Sequence, residues 1–259
     1  MAALAGTLGR RRIYLMRHGH VDYGSREVVK AKDPTIARLT SLGKEQAAAA
    51  GAAFAHVPLD IAVCSGLRRT RETAQIVLSH HIAPPALEDE PGLTELHSGA
   101  FIPFTSKQEL SAYLTFTFEQ AGEEGARFFE GGELFCDAYA RAVAAIEKLL
   151  HRPGWSSALV VAHEGINRLL LGWMCGAGPS ASLPFEQDLA CVNVLDFDLV
   201  PDEANGPISR IERRIIKATN VTPYGWLKAG MHETSFEAIF TAPDLEDDAE
   251  DEGKEAHAL

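Results

Sequence analysis

Cysteine is scarce and scattered. Cys64, Cys136, Cys175 and Cys191 are the four in 259 residues, with no CxxC pair and no zinc-ligand spacing. That excludes a disulfide scaffold and a small zinc module, and mostly apolar neighbours suggest buried free thiols in a reducing compartment. Long apolar runs are missing as well. The longest, 158–175, is interrupted by His163, Glu164, Asn167 and Arg168, so it cannot cross a bilayer as an uncharged helix. No secretory signal is legible, because residues 1–9 are too short for its apolar segment and Arg10, Arg11 and Arg12 follow that stretch instead of preceding it. Positive charge is in the minority, 24 Lys and Arg against 36 Asp and Glu, and the net charge of −12 argues against nucleic acid as a partner. The expected setting is cytoplasmic, away from membrane and nucleic acid. Internal repeats are absent too.

What is present reads as an ordinary globule, 46% hydrophobic and 23% charged. The length suits one enlarged α/β domain, placed at 13–240 after a flexible leader over 1–12. Charge is concentrated at the end: eight acidic residues and one lysine lie between Asp244 and Glu255. An acidic, disordered tail is expected over 243–259.

Along the chain, a short apolar strand is expected at 13–16, then a long loop from Val21 to Arg38 broken at Asp33-Pro34. Thr40 caps an alanine-rich helix over 41–54. A strand at 60–65 runs into a helix that begins near Leu67 and ends near Ser79. This β-α-β-α order predicts a three-layer α/β/α sandwich with a mostly parallel central sheet. Beyond Pro84-Pro85, eight of the twenty aromatic residues fall between Phe101 and Phe135, interleaved with glycines. They are read as a helical lid insertion at about 100–131, either packed as core or lining a pocket. A helix opening at Glu133 places Leu134, Ala138, Ala142, Ala145, Ile146 and Leu149 at helical spacing. Next come a buried strand at 158–162, the polar triplet His163-Glu164-Gly165, and a helix to about 173. Apolar and polar residues alternate over 191–198 and 208–216, as in antiparallel or edge strands. The stretch from Tyr224 has no legible pattern.

Three of these strands end in polar clusters: Arg17-His18-Gly19, Ser65 to Arg69, and His163. Ligands of open α/β sheets bind outside the carboxyl ends of the strands, so the three clusters should meet at one rim. Gly19 lets the backbone turn tightly beside a ligand. A histidine fixed beside an arginine can attack phosphorus, because the cation binds phosphoryl oxygens and keeps the imidazole neutral. A zinc site of HExxH type is excluded, since Asn167 stands where the second histidine would be.

These motifs resemble the histidine phosphatase superfamily, in its phosphoglycerate mutase-like branch. The resemblance rests on Leu15-Met16-Arg17-His18-Gly19, on Leu39 to Ala47, on Ser65-Gly66-Leu67-Arg68-Arg69 with Thr73-Ala74, on Glu95, on Gly132-Glu133, and on Val160 to Gly165 with Arg168. It implies a metal-independent histidine acid phosphatase-type phosphomonoesterase, needing no cofactor and acting on a small phosphorylated substrate. His18 would be the phosphoryl acceptor, Glu95 the proton donor with a carboxyl pKa raised toward neutrality, and His163 a further catalytic group gripping phosphoryl oxygens. Arg17 and Arg69 would bind the substrate, with Gly19 and His20 beside them. Two positions depart from the family pattern. His20 stands where Glu or Gln is usual, and Glu164 where glycine is common, so the Glu164 side chain is expected to point away from the phosphate. Between Glu95 and His163 the chain is short and not basic, which favours water over a second phosphoester as acceptor. Mutase-type transfer and a non-catalytic phosphate-binding or protein-binding module are the alternatives, and a homodimer stays open.

Overall fold

The computed structural model describes residues 7–99, 106–202 and 206–241. At its centre is β4 (Ser157–Ala162), all six residues of which are buried. A strand without charge can take the middle of a sheet covered on both faces. β4 runs parallel to β1 (Gly9–Arg17) and β2 (Ile61–Cys64), with Val160 opposite Leu15 on one side and Val63 on the other. The short β3 (Leu87–Asp89) extends the parallel part. Beyond β1, β5 (Val192–Asp202) and β6 (Gly206–Val221) add two antiparallel strands, giving the order β3-β2-β4-β1-β5-β6.

The alternation of β4 divides its side chains between two layers. Leu159 and Val161 join Met16 and Ala62 against Ala50 and Phe54 of α2 (Ser41–Phe54) and Ala74 and Val77 of α3 (Arg68–Leu78). On the opposite face, Val160 joins Leu15, Val63 and Phe197. They pack against Ala142 and Ile146 of α5 (Phe135–His151) and Ile166 and Leu169 of α6 (Glu164–Met174). The three-layer α/β/α arrangement with a mostly parallel sheet is therefore what forms. Thr40 caps α2 as expected, its Oγ1 accepting from the Gly43 amide at 3.2 Å.

Part of the aromatic insertion belongs to this core. After α4 (Lys107–Thr117), Phe118 is 1% exposed and lies 5.2–6.1 Å from the rings of Phe128, Phe135 and Phe236. Tyr113 and Phe116 are exposed, while Phe101 and Phe104 lie outside the described residues. The acidic tail at 243–259 and positions 1–6 of the leader also lie outside them.

Four details differ from the sequence expectation. Residues 9–12 are the start of β1 and not flexible leader, because Arg10 and Arg12 pair with the buried Asp198 and Asp196 of β5 at 2.8 and 2.7 Å. A basic run reads as solvated only until its carboxylate partners, far along the chain, are known. The loop from Val21 to Arg38 contains a short helix, α1 (Arg26–Ala31), and a 3-10 turn at Pro34–Ile36, both too short to show periodicity. β3 is likewise too short, at three residues. The unplaced C-terminal stretch is held at the end of β1, where the Ser235 carbonyl accepts from Arg17 and the Ile239 carbonyl meets His20, and its last described element is α7 (Ala238–Thr241).

Two glycines allow the loop after β1 to lie on the start of α2. A Cβ on Gly43 would sit 2.2 Å from the His20 carbonyl oxygen, and one on Gly19 would sit 2.4 Å from that of Gly43. Both obstacles are backbone, so neither can swing aside. Gly43→Ala is expected to cost about 2–3 kcal/mol, read as a lower urea midpoint with unchanged m-value.

Candidate active site

Arg17 ends β1 and His18 follows it, Ser65 and Arg69 follow β2, and His163 follows β4 as the N-cap residue of α6. Arg17, His18, Arg69 and His163 are 1%, 2%, 3% and 0% exposed. The two histidine rings meet edge to face, with centroids 5.2 Å apart. The rim expected from the strand ends therefore brings these four side chains together.

Hydrogen bonds set the proton on each histidine. His18 Nδ1 lies 2.7 Å from the Gly19 carbonyl oxygen, which can only accept, so Nδ1 carries the proton and Nε2 keeps its lone pair. Burial, and then the charges of Arg69 and Arg17, hold the His18 pKa well below its ordinary value. For His163 the proton is set by a chain of hydroxyls. Thr70 donates to the Leu67 carbonyl at 2.8 Å, so Ser65 donates to Thr70 at 2.9 Å. Ser65 is then left to accept from His163 Nε2 at 2.8 Å. His163 Nδ1 faces the site with no partner among the described residues. Burial and the neighbouring Arg69 keep this ring neutral too.

The arginines are anchored by one end. Arg17 Nη1 donates to the Gln187 carbonyl at 2.5 Å and the Ser235 carbonyl at 3.4 Å, while its Nε has no partner. Arg69 Nη1 reaches the Pro34 and Thr35 carbonyls at 3.3 and 3.5 Å, and its Nε is also unpartnered. Buried donors without acceptors are costly. Here Arg17 Nε and Arg69 Nε are two such atoms, while the unpartnered His163 Nδ1 is the lone pair of a neutral ring. An oxyanion would satisfy both guanidinium donors, and His163 Nδ1 as well once that nitrogen has taken up a proton.

Glu95 sits on the N-terminus of α6. Its carboxylate accepts from the amides of Gly165 at 3.1 Å, Ile166 at 3.3 Å and Leu96 at 3.0 Å. A Cβ on Gly165 would sit 2.8 Å from a Glu95 oxygen and 2.3 Å from Leu96 Cδ1, so any larger residue there would displace the Glu95 carboxylate or Leu96. Burial raises the Glu95 pKa and outweighs the amides and Arg69, which pull it down. Arg141 fixes the backbone of this loop, donating to the carbonyls of Gly92 at 2.8 Å, Thr94 at 2.7 Å and Glu95 at 3.2 Å, and pairing with Glu133 at 2.7 Å.

Glu164 does not point away. Its carboxylate is 2% exposed, 2.8 Å from Arg17 Nη1 and 2.9 Å from Arg168 Nη2. Two arginines neutralise the charge, so the carboxylate is retained beside the site instead of being expelled from it. His20 is buried, with Nδ1 2.8 Å from Thr40 Oγ1 and Nε2 3.2 Å from the Ile239 carbonyl, so both ring nitrogens are engaged by the chain itself. The Gly19 amide donates to Thr73 Oγ1 at 3.1 Å. His97 is outside the cluster, 68% exposed and opposite Glu133. Ser235, Phe236 and Ile239 reach the site from the C-terminal segment, and no sequence signal marked them. The hydroxyl chain of Ser65 and Thr70 lay within a recognised motif but depends on side-chain geometry.

Fold and rim together define an α/β protein with a buried cluster of arginine and histidine at the carboxyl ends of its parallel strands. The chain belongs to the histidine phosphatase superfamily, branch 1, whose sequence model matches residues 13–200. An adenosylcobalamin/alpha-ribazole phosphatase of Escherichia coli K12 is 26% identical over 194 residues, 72% of this chain and 90% of that protein. Among solved structures, a mycobacterial hydrolase superposes with a TM-score of 0.65 at 21% identity, covering 86% of this chain and 98% of its own. A mycobacterial glucosyl-3-phosphoglycerate phosphatase gives 0.61 at 22%, covering 82% and 99%. Among the described residues no helix is long and apolar enough to cross a membrane.

The buried neutral histidines make stability depend on pH. Below the ordinary histidine pKa of about 6.5 the unfolded chain binds protons that folded His18 and His163 refuse, so stability falls as pH drops through that value. The expected slope is about 1.4 kcal/mol per pH unit for each histidine. Thermal scans from pH 7.5 to 5.5 should show the decline, and His18→Asn should remove about one proton's share.

Proposed function

We propose that the chain is a phosphomonoesterase that works through a phosphohistidine on His18. The observation that carries this reading is the pair of unpartnered buried guanidinium donors, Arg17 Nε and Arg69 Nε, on residues whose charges act on the His18 ring, with the His163 ring edge to face against it. Membership of the superfamily and the phosphatase names of its relatives support it.

His18 Nε2 attacks the phosphorus while the ester P–O bond breaks. The guanidinium groups of Arg17 and Arg69 take the charge spread over the phosphoryl oxygens. His163 contributes as a cation once Nδ1 is protonated, because only then can that nitrogen donate to an oxygen. Glu95, whose carboxyl pKa burial raises, gives its proton to the leaving oxygen. The resulting carboxylate takes a proton from water as that water attacks the phosphohistidine, the N–P bond breaks, and inorganic phosphate leaves. Gly19 holds the nucleophile's loop against Thr73, and His20 reaches a substrate only where the Ile239 carbonyl gives way. The relatives' names point to small phosphorylated metabolites as the substrate class. The charge work is done by arginine and histidine, so the reaction needs no metal and no cofactor.

Hydrolysis of p-nitrophenyl phosphate in EDTA is the direct assay. Wild type should turn over without added metal, and His18→Ala should lose on the order of 1,000-fold or more in kcat. Glu95→Gln should lose about 100-fold on alkyl phosphates and much less on p-nitrophenyl phosphate, whose leaving group needs little protonation. Activity that requires a divalent metal, or that survives His18→Ala, overturns the reading.

A further inference from the structure

Glu164 is a carboxylate where an anion pocket has least use for one, and its two oxygens are treated differently. Oε1 is locked: it accepts from Arg168 Nε at 3.1 Å, from Arg168 Nη2 at 2.9 Å, and from the Ser235 hydroxyl. Arg168 is itself immobilised, by the Leu183 carbonyl at 2.9 Å, by Glu186 at 3.0 Å, and between the rings of Phe118 and Phe236 at 5.3 and 5.0 Å. Oε2 is engaged only loosely. It lies 2.8 Å from Arg17 Nη1 but makes no aligned hydrogen bond among the described residues.

We propose that Glu164 is a positioning residue for Arg17 and a resident counter-charge that limits how tightly the site holds phosphate. The proposal rests on the phosphatase reading and goes beyond it. Held at Nη1 by Glu164 and the Gln187 carbonyl, the guanidinium keeps its Nε edge free for the phosphoryl oxygens. The same carboxylate stays close enough to repel them. At separations of a few ångström inside a protein, one unit charge changes anion binding by a factor of ten or more. A pocket built only of cations would bind the product, inorganic phosphate, as well as it binds the transition state, and such uniform binding slows turnover. Glu164 offsets part of that attraction in every anion-bound state. The transferring phosphoryl group has the additional help of His18 and Glu95, which the product lacks.

The test measures binding of inorganic phosphate and of vanadate to the full chain by calorimetry, alongside kcat and KM. Glu164→Gln keeps the side chain's shape and an acceptor for Arg17 but removes the charge. Phosphate should bind on the order of tenfold more tightly and KM should fall by a similar factor with no gain in kcat, because the charge acts on every anion-bound state alike. Glu164→Asp keeps the charge and withdraws it by one methylene, so it remains informative if the Gln variant fails to fold. It should tighten phosphate by about two- to threefold. Positioning of Arg17 without any counter-charge effect predicts the opposite direction, with both variants binding phosphate more weakly as Arg17 loses its support. Weaker or unchanged binding in the folded variants overturns the proposal while leaving the phosphatase reading intact. A wild type that binds neither anion overturns both.

Discussion

The structure depends on holding a guanidinium out of water before any ligand arrives. Arg17 is 1% exposed at the end of a central strand, and a lone buried charge there would be prohibitive. Its Nη1 is met by three oxygens from distant parts of the chain, those of Glu164, Gln187 and Ser235. Gln187 is itself placed by Asn193, which also donates to the Leu15 carbonyl of β1 at 3.0 Å. The antiparallel extension of the sheet and the C-terminal segment are in this sense supports for one side chain. What they leave unsatisfied is Nε, which is buried without a partner among the described residues.

The second feature is proton placement without a nearby acid. Each histidine has its tautomer set by a partner that can only accept, or by a hydroxyl chain that ends on one: the Gly19 carbonyl for His18 and the Leu67 carbonyl, through Thr70 and Ser65, for His163. The two rings are consequently different reagents. One presents a lone pair from Nε2, and the other presents Nδ1, which becomes a donor only by taking up a proton. Glu95 completes the set as a carboxyl whose burial and helix-end amides oppose each other, and burial prevails.

The parts of this that were legible in the sequence are those encoded locally. Apolar runs ending in Arg-His or His-Glu, the Thr40 cap and the β-α-β-α order are short-range patterns, and the convergence of three strand ends follows from the topology of parallel sheets. The parts that were not legible depend on pairing across the chain. Arg10 and Arg12 read as a solvated leader because Asp196 and Asp198 lie more than 180 residues away. Glu164 read as a charge to be expelled because its two arginine partners cannot be inferred from spacing alone. Ser235, Phe236 and Ile239 sit in a stretch with neither periodicity nor motif, and contacts alone give them a place. The site's residue types were thus recoverable, while the charge balance around them was not.

The position of β1 also fixes when the site can exist. The strand leading to His18 precedes the other described strands, but its two neighbours in the sheet begin at Ser157 and Val192, and the carbonyls that meet Arg17 and His20 belong to Ser235 and Ile239. Pairings over such separations are slow to form, and domains assembled from them fold late in synthesis. A nascent chain therefore carries Arg17-His18-Gly19, Arg69 and Glu95 long before His163, Glu164 and the supporting carbonyls exist to arrange them. The arrangement proposed to act on phosphate waits on residues more than 200 positions beyond Arg17 and His20.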